Sequence, residues 1–222
     1  MSLVAMGNYT APALTESQQL VSDLFHQLSQ PLTTLCCALE LALLQTPTLE
    51  QYGEIVSQAL DQAEKASALA TAIRELSGAG QPGGSGDLLE LRREVEEAIA
   101  DLLPVAESAG VQVCFAPGPA CPVWFDASRL RQGLFHLVGF AIGSGAAVAI
   151  ELAERAAQAM LGLTISGPGV GGDTPADPGL ELWRRLGLGI ARAIFEASGG
   201  SCRVERSPAS LRVEVRILQK QE

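Results

Sequence analysis

The chain has 222 residues, 47% of them apolar, enough for one large core or two small ones. A formal charge of −10, with Lys65 and Lys220 as the only lysines, excludes a nucleic-acid surface, which needs clustered basic residues. No stretch approaches the roughly 18 unbroken apolar residues of a membrane span, and residues 1–8 lack a basic secretory n-region, so a cytoplasmic protein with no membrane insertion is expected.

Residues 1–15 read as a disordered leader. Thr15-Glu16-Ser17-Gln18 has the form of a capping box and sets a helix start near residue 16. Leu20, Leu24, Leu28, Leu32, Leu35, Leu39 and Ala42 then recur at spacings of three and four, one apolar stripe of a long amphipathic helix. Pro47 ends it, and a second capping box, Thr48-Leu49-Glu50-Gln51, opens a helix carrying Tyr52, Ile55, Ala59, Ala63, Ala66, Ala70, Ile73 and Leu76. Two such helices over 16–77 make an antiparallel hairpin. The second helix is rich in alanine and buries little area per residue, so two copies in a four-helix bundle are expected, a homodimer. The alternative is packing of the hairpin on its own C-terminal domain.

Residues 78–86, Gly-Ala-Gly-Gln-Pro-Gly-Gly-Ser-Gly, form a flexible linker by composition. Beyond it, 87–108 reads as a helix that Pro104 bends or ends. Residues 111–115 and 123–125 read as strands, and 127–142 as a helix. Two strands follow at 147–152 and 159–166, then a Gly/Pro/Asp loop over 167–179. A helix over 182–197 and a hairpin of 202–205 with 211–217 complete an α+β domain with helices on one face of a mixed or antiparallel sheet. The five cysteines, Cys36, Cys37, Cys114, Cys121 and Cys202, are odd in number and lack CxxC spacing, which gives no disulfide or zinc framework. No metal site is expected, and the cysteines read as ordinary reduced thiols.

The segment His26-Gln27-Leu28-Ser29-Gln30-Pro31-Leu32 stands apart from this pattern. Proline inside a helix removes one backbone bond and costs on the order of 3 kcal/mol, so Pro31, five residues after His26, marks an intended bend. His26 lies on a stripe of Ser22, Ser29, Thr33, Cys37 and Glu40, turned away from Leu24 and Leu28. An imidazole that accepts a phosphoryl group needs such exposure, because a partner must reach its ring nitrogen in line with the donor. The segment resembles the H-box of histidine kinases, in the subgroup reading His-Glu-Leu-x-Gln-Pro-Leu. The resemblance implies that His26 is the phosphoacceptor, with Gln27 and Gln30 beside it in the candidate catalytic site. Where the family has an acidic residue that assists attack on ATP, this chain has Gln27, whose amide cannot act as a base.

Asp126-Ala127-Ser128-Arg129-Leu130-Arg131-Gln132-Gly133-Leu134-Phe135-His136-Leu137-Val138-Gly139-Phe140-Ala141 resembles the N-box of the histidine-kinase ATP domain, Asp-x-x-Arg-Leu-x-Gln-x-Leu-x-Asn-Leu-x-x-Asn-Ala. Its two asparagines have become His136 and Phe140. One of them holds magnesium in the family, and Mg²⁺ takes oxygen ligands. Residues 163–170, Leu-Thr-Ile-Ser-Gly-Pro-Gly-Val, are similar to the next box, with Gly167 and Gly169 kept and the adenine-reading aspartate missing. Downstream Asp173 and Asp177 show no sign of replacing it. Residues 186–200 are similar to the last glycine box and its helix, with Gly187 and Gly189 kept and Arg185 at the first glycine position. Alone, Gly-Leu-Gly is a weak phosphate-loop signal.

The resemblance implies a Bergerat-type (GHKL) α/β sandwich over 87–222, kept for its shape, with nucleotide binding gone or feeble. It further implies a two-component histidine phosphotransferase relaying phosphoryl groups between His26 and receiver-domain aspartates of response regulators. Such a chain needs no cofactor of its own, since the receiver supplies Mg²⁺. Two alternatives stand beside it. One is a divergent sensor-kinase core, cut from a longer chain, that autophosphorylates with ATP and Mg²⁺. The other is a non-catalytic adaptor that binds a response regulator.

Overall fold

A computed structural model describes residues 11–44, 48–81, 83–84, 86–155, 158–167, 170 and 178–219. The chain divides into two compact units, Met1–Glu75 and Leu76–Glu222.

The first unit is built from two long helices, α1 (Ala11–Leu44) and α2 (Leu49–Ala79), the last turn of α2 falling in the second unit. Helix α1 already includes Ala11, so the helix runs through the Thr15 capping box and into the expected leader. At the start of α2 the second capping box closes reciprocally. The Thr48 amide donates to Gln51 Oε1 at 2.9 Å, and the Gln51 amide to Thr48 Oγ1 at 3.4 Å. The residues that end α1, 45–47 with Pro47, lie outside the described residues.

The stripe of α1 that leaves water runs through Leu20, Leu24, Leu28, Pro31, Leu35, Ala38 and Ala42. This alternation of fours and threes suits two helices lying side by side. Leu32 and Leu39, expected in that stripe, are exposed instead, as are Ala63 and Ala70 on α2, where Ala66, Leu69 and Ala72 are buried.

The second unit is α+β. Strand β1 (Asp87–Glu90) pairs antiparallel with β3 (Pro122–Phe125) in a two-stranded sheet. A five-stranded mixed sheet has the order β2-β4-β5-β7-β6. Its strands are β2 (Gln112–Ala116), β4 (Ala147–Arg155), β5 (Gln158–Ser166), β6 (Ser201–Arg206) and β7 (Ser210–Leu218). Strand β2 is parallel to β4 and the other pairs are antiparallel. Helices α3 (Leu91–Ser108), α4 (Ala127–Ser144) and α5 (Pro178–Ala197) complete the unit. Alternation along β4 and β7 buries Val148, Ile150 and Leu152 with Leu211, Val213, Val215 and Ile217, and leaves Ala149, Glu151 and Arg212 in water. The core joins that buried face to Leu130, Leu134, Leu137, Ile190, Ile194 and Phe195 of α4 and α5.

Four expectations for this unit change. Residues 87–90 are a strand, not the first turn of α3, because Glu90 caps the helix. Its carboxylate accepts from the amides of Arg92 and Arg93 and, across the fold, from the Cys121 amide at 2.9 Å. Pro104 neither ends nor divides α3. It sits on the exposed side, where the Ala100 carbonyl it leaves unbonded faces water. Helices α4 and α5 run past 142 to Ser144 and begin before 182, at Pro178.

Candidate functional site

His26 stands on the outer side of α1 with its ring exposed, and Ser22, Ser29, Thr33, Cys37 and Glu40 along the same stripe are exposed too. Around it the helix ladder is rearranged. Pro31 offers no donor to the Gln27 carbonyl, while Ser29 Oγ donates to the Phe25 carbonyl at 2.9 Å and Thr33 Oγ1 to the Ser29 carbonyl at 2.8 Å. Gln30 follows His26 by one turn, and its Nε2 lies 3.4 Å from His26 Nε2. With the ring proton on Nδ1, the Gln30 amide donates to the Nε2 lone pair, a long and exposed bond that must open before that nitrogen can attack. The Gln27 side chain is half-buried. An exposed imidazole with one nitrogen unprotonated can act as a nucleophile toward a phosphoryl group brought by another molecule.

The other candidate positions belong to the second unit, and packing explains them. Phe140 on α4 is buried, and His136 one turn earlier is half-buried, edge-on to Phe135 with centroids 6.1 Å apart at 84°. Helix α5 crosses this surface. A Cβ on Gly187 would lie 3.4 Å from the His136 carbonyl and 3.8 Å from Phe140 Cβ. Gly187 and Gly189 are both interior to α5, so their amides bond along the helix and form no loop around a phosphate. Gly167 does have a left-handed backbone, φ 150°, and its missing side chain admits Ala146, whose amide would be 2.7 Å from a Cβ there. Gly169, Asp173 and Asp177 lie outside the described residues.

An imidazole and a buried phenyl ring offer no hard oxygen where the resembled pattern has asparagines, and these residues do not fit Mg²⁺–ATP. Among the described residues no group of three His, Cys, Asp or Glu side chains is placed to hold a metal. Cys121 and Cys202 are buried thiols, both pushed above the usual cysteine range, chiefly by loss of water. Cys36, Cys37 and Cys114 are exposed.

The start of α4 carries an arrangement that motif reading left as scaffold. Asp126 caps the helix, its Oδ1 accepting from the Ser128 and Arg129 amides at 3.0 and 3.1 Å and from Ser128 Oγ at 3.1 Å. Its Oδ2 accepts from the Gly84 amide at 3.2 Å. These bonds, the Arg129 amide first, hold the carboxyl below the ordinary aspartate range. The Arg129 guanidinium donates to the carbonyls of Gly78 and Gln81.

No protein-family model matches the chain. It is 26% identical over 207 residues to the sensor protein IrlS of Burkholderia pseudomallei, with 86% of this chain and 44% of that protein covered. It is 28% identical over an alignment of 224 residues to the sensor protein kinase CarS of Pseudomonas aeruginosa, with 96% and 49% covered. In sequence the chain is similar to these two sensor proteins, one of them a sensor kinase. It spans about half the length of these curated relatives. Solved structures agree on the fold. The histidine kinase AdeS of Acinetobacter baumannii superposes with a TM-score of 0.62 at 21% identity, covering 88% of this chain and 98% of that one. The catalytic domain of the histidine kinase ThkA gives 0.51 at 20%, covering 63% and 100%. The five-stranded sheet with its helices shares its fold with the ThkA catalytic domain. No helix among the described residues is long and apolar enough to cross a membrane.

Proposed function

We propose that this histidine-kinase-like chain is a histidine phosphotransferase of two-component signalling, with little or no ATP binding of its own. The observation that carries the reading is the contrast between its two sites. His26 is exposed on a polar stripe within an H-box-like segment, while Phe140 is buried beneath a continuous α5 where a nucleotide site of this kind places polar ligands. In the relay, His26 Nε2 attacks the aspartyl phosphate of one receiver domain. The P–N bond forms as the P–O bond to the carboxylate breaks, and the reverse step delivers the group to another receiver aspartate. Mg²⁺ at the receiver neutralises the charge on the transferring oxygens.

The acting form on this reading is a homodimer. Each helix of the first unit buries one apolar stripe and exposes another: Val21, Phe25, Leu32 and Leu39 on α1, and Tyr52, Val56 and Leu60 on α2. A second copy forming a four-helix bundle would cover both.

The test is to mix the chain with a response regulator phosphorylated on its receiver. Acid-labile label is expected on His26 and absent from His26→Ala. Label reaching neither protein from any cognate regulator would refute the relay. A second reading, a sensor-kinase core that autophosphorylates, is favoured by the names of the curated relatives. Titration calorimetry separates the two, because micromolar binding of ATP with Mg²⁺ would favour the kinase.

A further inference from the structure

We infer that the glycine-rich segment after α2 is a fastened strap rather than a free tether, and that Asp126 and Arg129 are its buckle. Three kinds of contact hold it. Arg129 Nη1 and Nη2 donate to the Gln81 and Gly78 carbonyls, and Asp126 Oδ2 accepts from the Gly84 amide. The glycines themselves are packed. A Cβ on Gly83 would come 3.1 Å from Arg129 Cδ and 3.3 Å from Asp126 Cβ. One on Gly84 would come 3.2 Å from Asp126 Oδ2, and one on Gly86 only 2.7 Å from the Trp124 indole nitrogen. Composition assigns these glycines to flexibility. Their surroundings assign them to close approach, which any side chain at Gly86 would block.

The buckle also joins two helix ends of opposite polarity. Gly78 is in the last turn of α2, where carbonyls lack helical partners and the dipole is negative, so a guanidinium is favoured there. Asp126 occupies the positive N-terminal end of α4. Both bond sets involve exposed or half-exposed groups, and glycine gains more chain entropy on release than any other residue, so the fastening is weak enough to open. The buckle therefore ties the last turn of α2 to the start of α4, within the second unit. This goes beyond phosphotransfer and does not depend on it.

The test uses the full chain with Trp183→Phe, so that Trp124 is the single indole. Arg129→Ala removes the buckle's donor. Gly86→Val leaves Asp126 and Arg129 in place and drives a side chain into the Trp124 ring. Both are expected to shift Trp124 emission to the red and to speed exchange of the Gly84 amide about tenfold, while amides in α4 and β5 keep their protection. Should Arg129→Ala fail to fold, Gly86→Val decides alone. Exchange at Gly84 that is already as fast as in an unstructured peptide, or unchanged in the folded variants, would overturn the strap. His26→Ala is expected to leave every one of these readouts where it was, so the strap and the relay fail separately.

Discussion

Replacing Phe140 with asparagine restores the residue type that the resembled N-box carries at that position. If the nucleotide site lacked only its ligand, the change would bring ATP back. The structure argues otherwise, because Phe140 is 8% exposed and its Cβ sits beneath Gly187 of α5. Truncating a buried phenylalanine costs about 3–5 kcal/mol, and an amide left without a partner in its place costs about 1–3 kcal/mol more. Asparagine keeps part of the volume, so a net loss of about 4 kcal/mol is expected, a fall in Tm of roughly 8–16 °C for a unit of this size. Both tryptophans, Trp124 and Trp183, belong to the second unit, so their fluorescence during thermal unfolding reports that unit alone. Calorimetry with ATP and Mg²⁺ should remain flat. A Phe140→Asn protein with unchanged Tm that binds ATP at micromolar concentration would refute the reasoning.

Two glycines on the α4–α5 contact should respond in opposite directions. A side chain at Gly133 meets Ile194 Cγ2 and the Phe195 ring at 3.2 Å, so Gly133→Val should destabilise by about 1–3 kcal/mol in urea unfolding. One at Gly187 meets only ordinary contacts of 3.4 Å and beyond inside a helix, so Gly187→Ala should stabilise by about 0.5–1 kcal/mol. Charges on the exposed stripe of α2, Val56→Asp with Leu60→Asp, should convert the proposed dimer to a monomer in light scattering while helix content by circular dichroism is kept. Asp126 is held below the ordinary aspartate range, so it stabilises the fold above the unfolded value near pH 3.9 and loses that contribution as pH falls through its lower folded value. The acid limb of a stability profile should therefore move to higher pH in Gly84→Pro, which lacks one of the amides holding that carboxylate.

Much of the first unit was legible because its signals are local. Thr48 and Gln51 bond as their spacing predicts, and the stripe through His26 is exposed from Ser22 to Glu40. The first capping box misled because the helix is already formed ahead of it, from Ala11 onward. The stripe itself was placed one position off at Leu32 and Leu39, since a three-four count on a leucine-rich helix does not say which of two adjacent stripes is used first. In the second unit, Asp-Leu-Leu-Glu at 87–90 is too short to separate strand from helix by period. Its pairing with β3 and the Cys121 amide that fixes the Glu90 carboxylate come from 31–38 residues away. The strap was illegible for the same reason. Glycine in a row reads as freedom, and only Trp124, Asp126 and Arg129, roughly 40 residues later, turn it into a surface for contact. The altered positions His136 and Phe140 were visible by residue type, but that α5 fills the space above them was not.

An unbroken α5 has a consequence for what the chain can sense. A phosphate loop that opens and shuts lets a protein register whether it holds a triphosphate or a diphosphate. Gly187 and Gly189 are wound into a rod rather than a loop. On the relay reading, the output of this chain follows which receivers meet it and how charged they are, and is indifferent to the energy state of the cell.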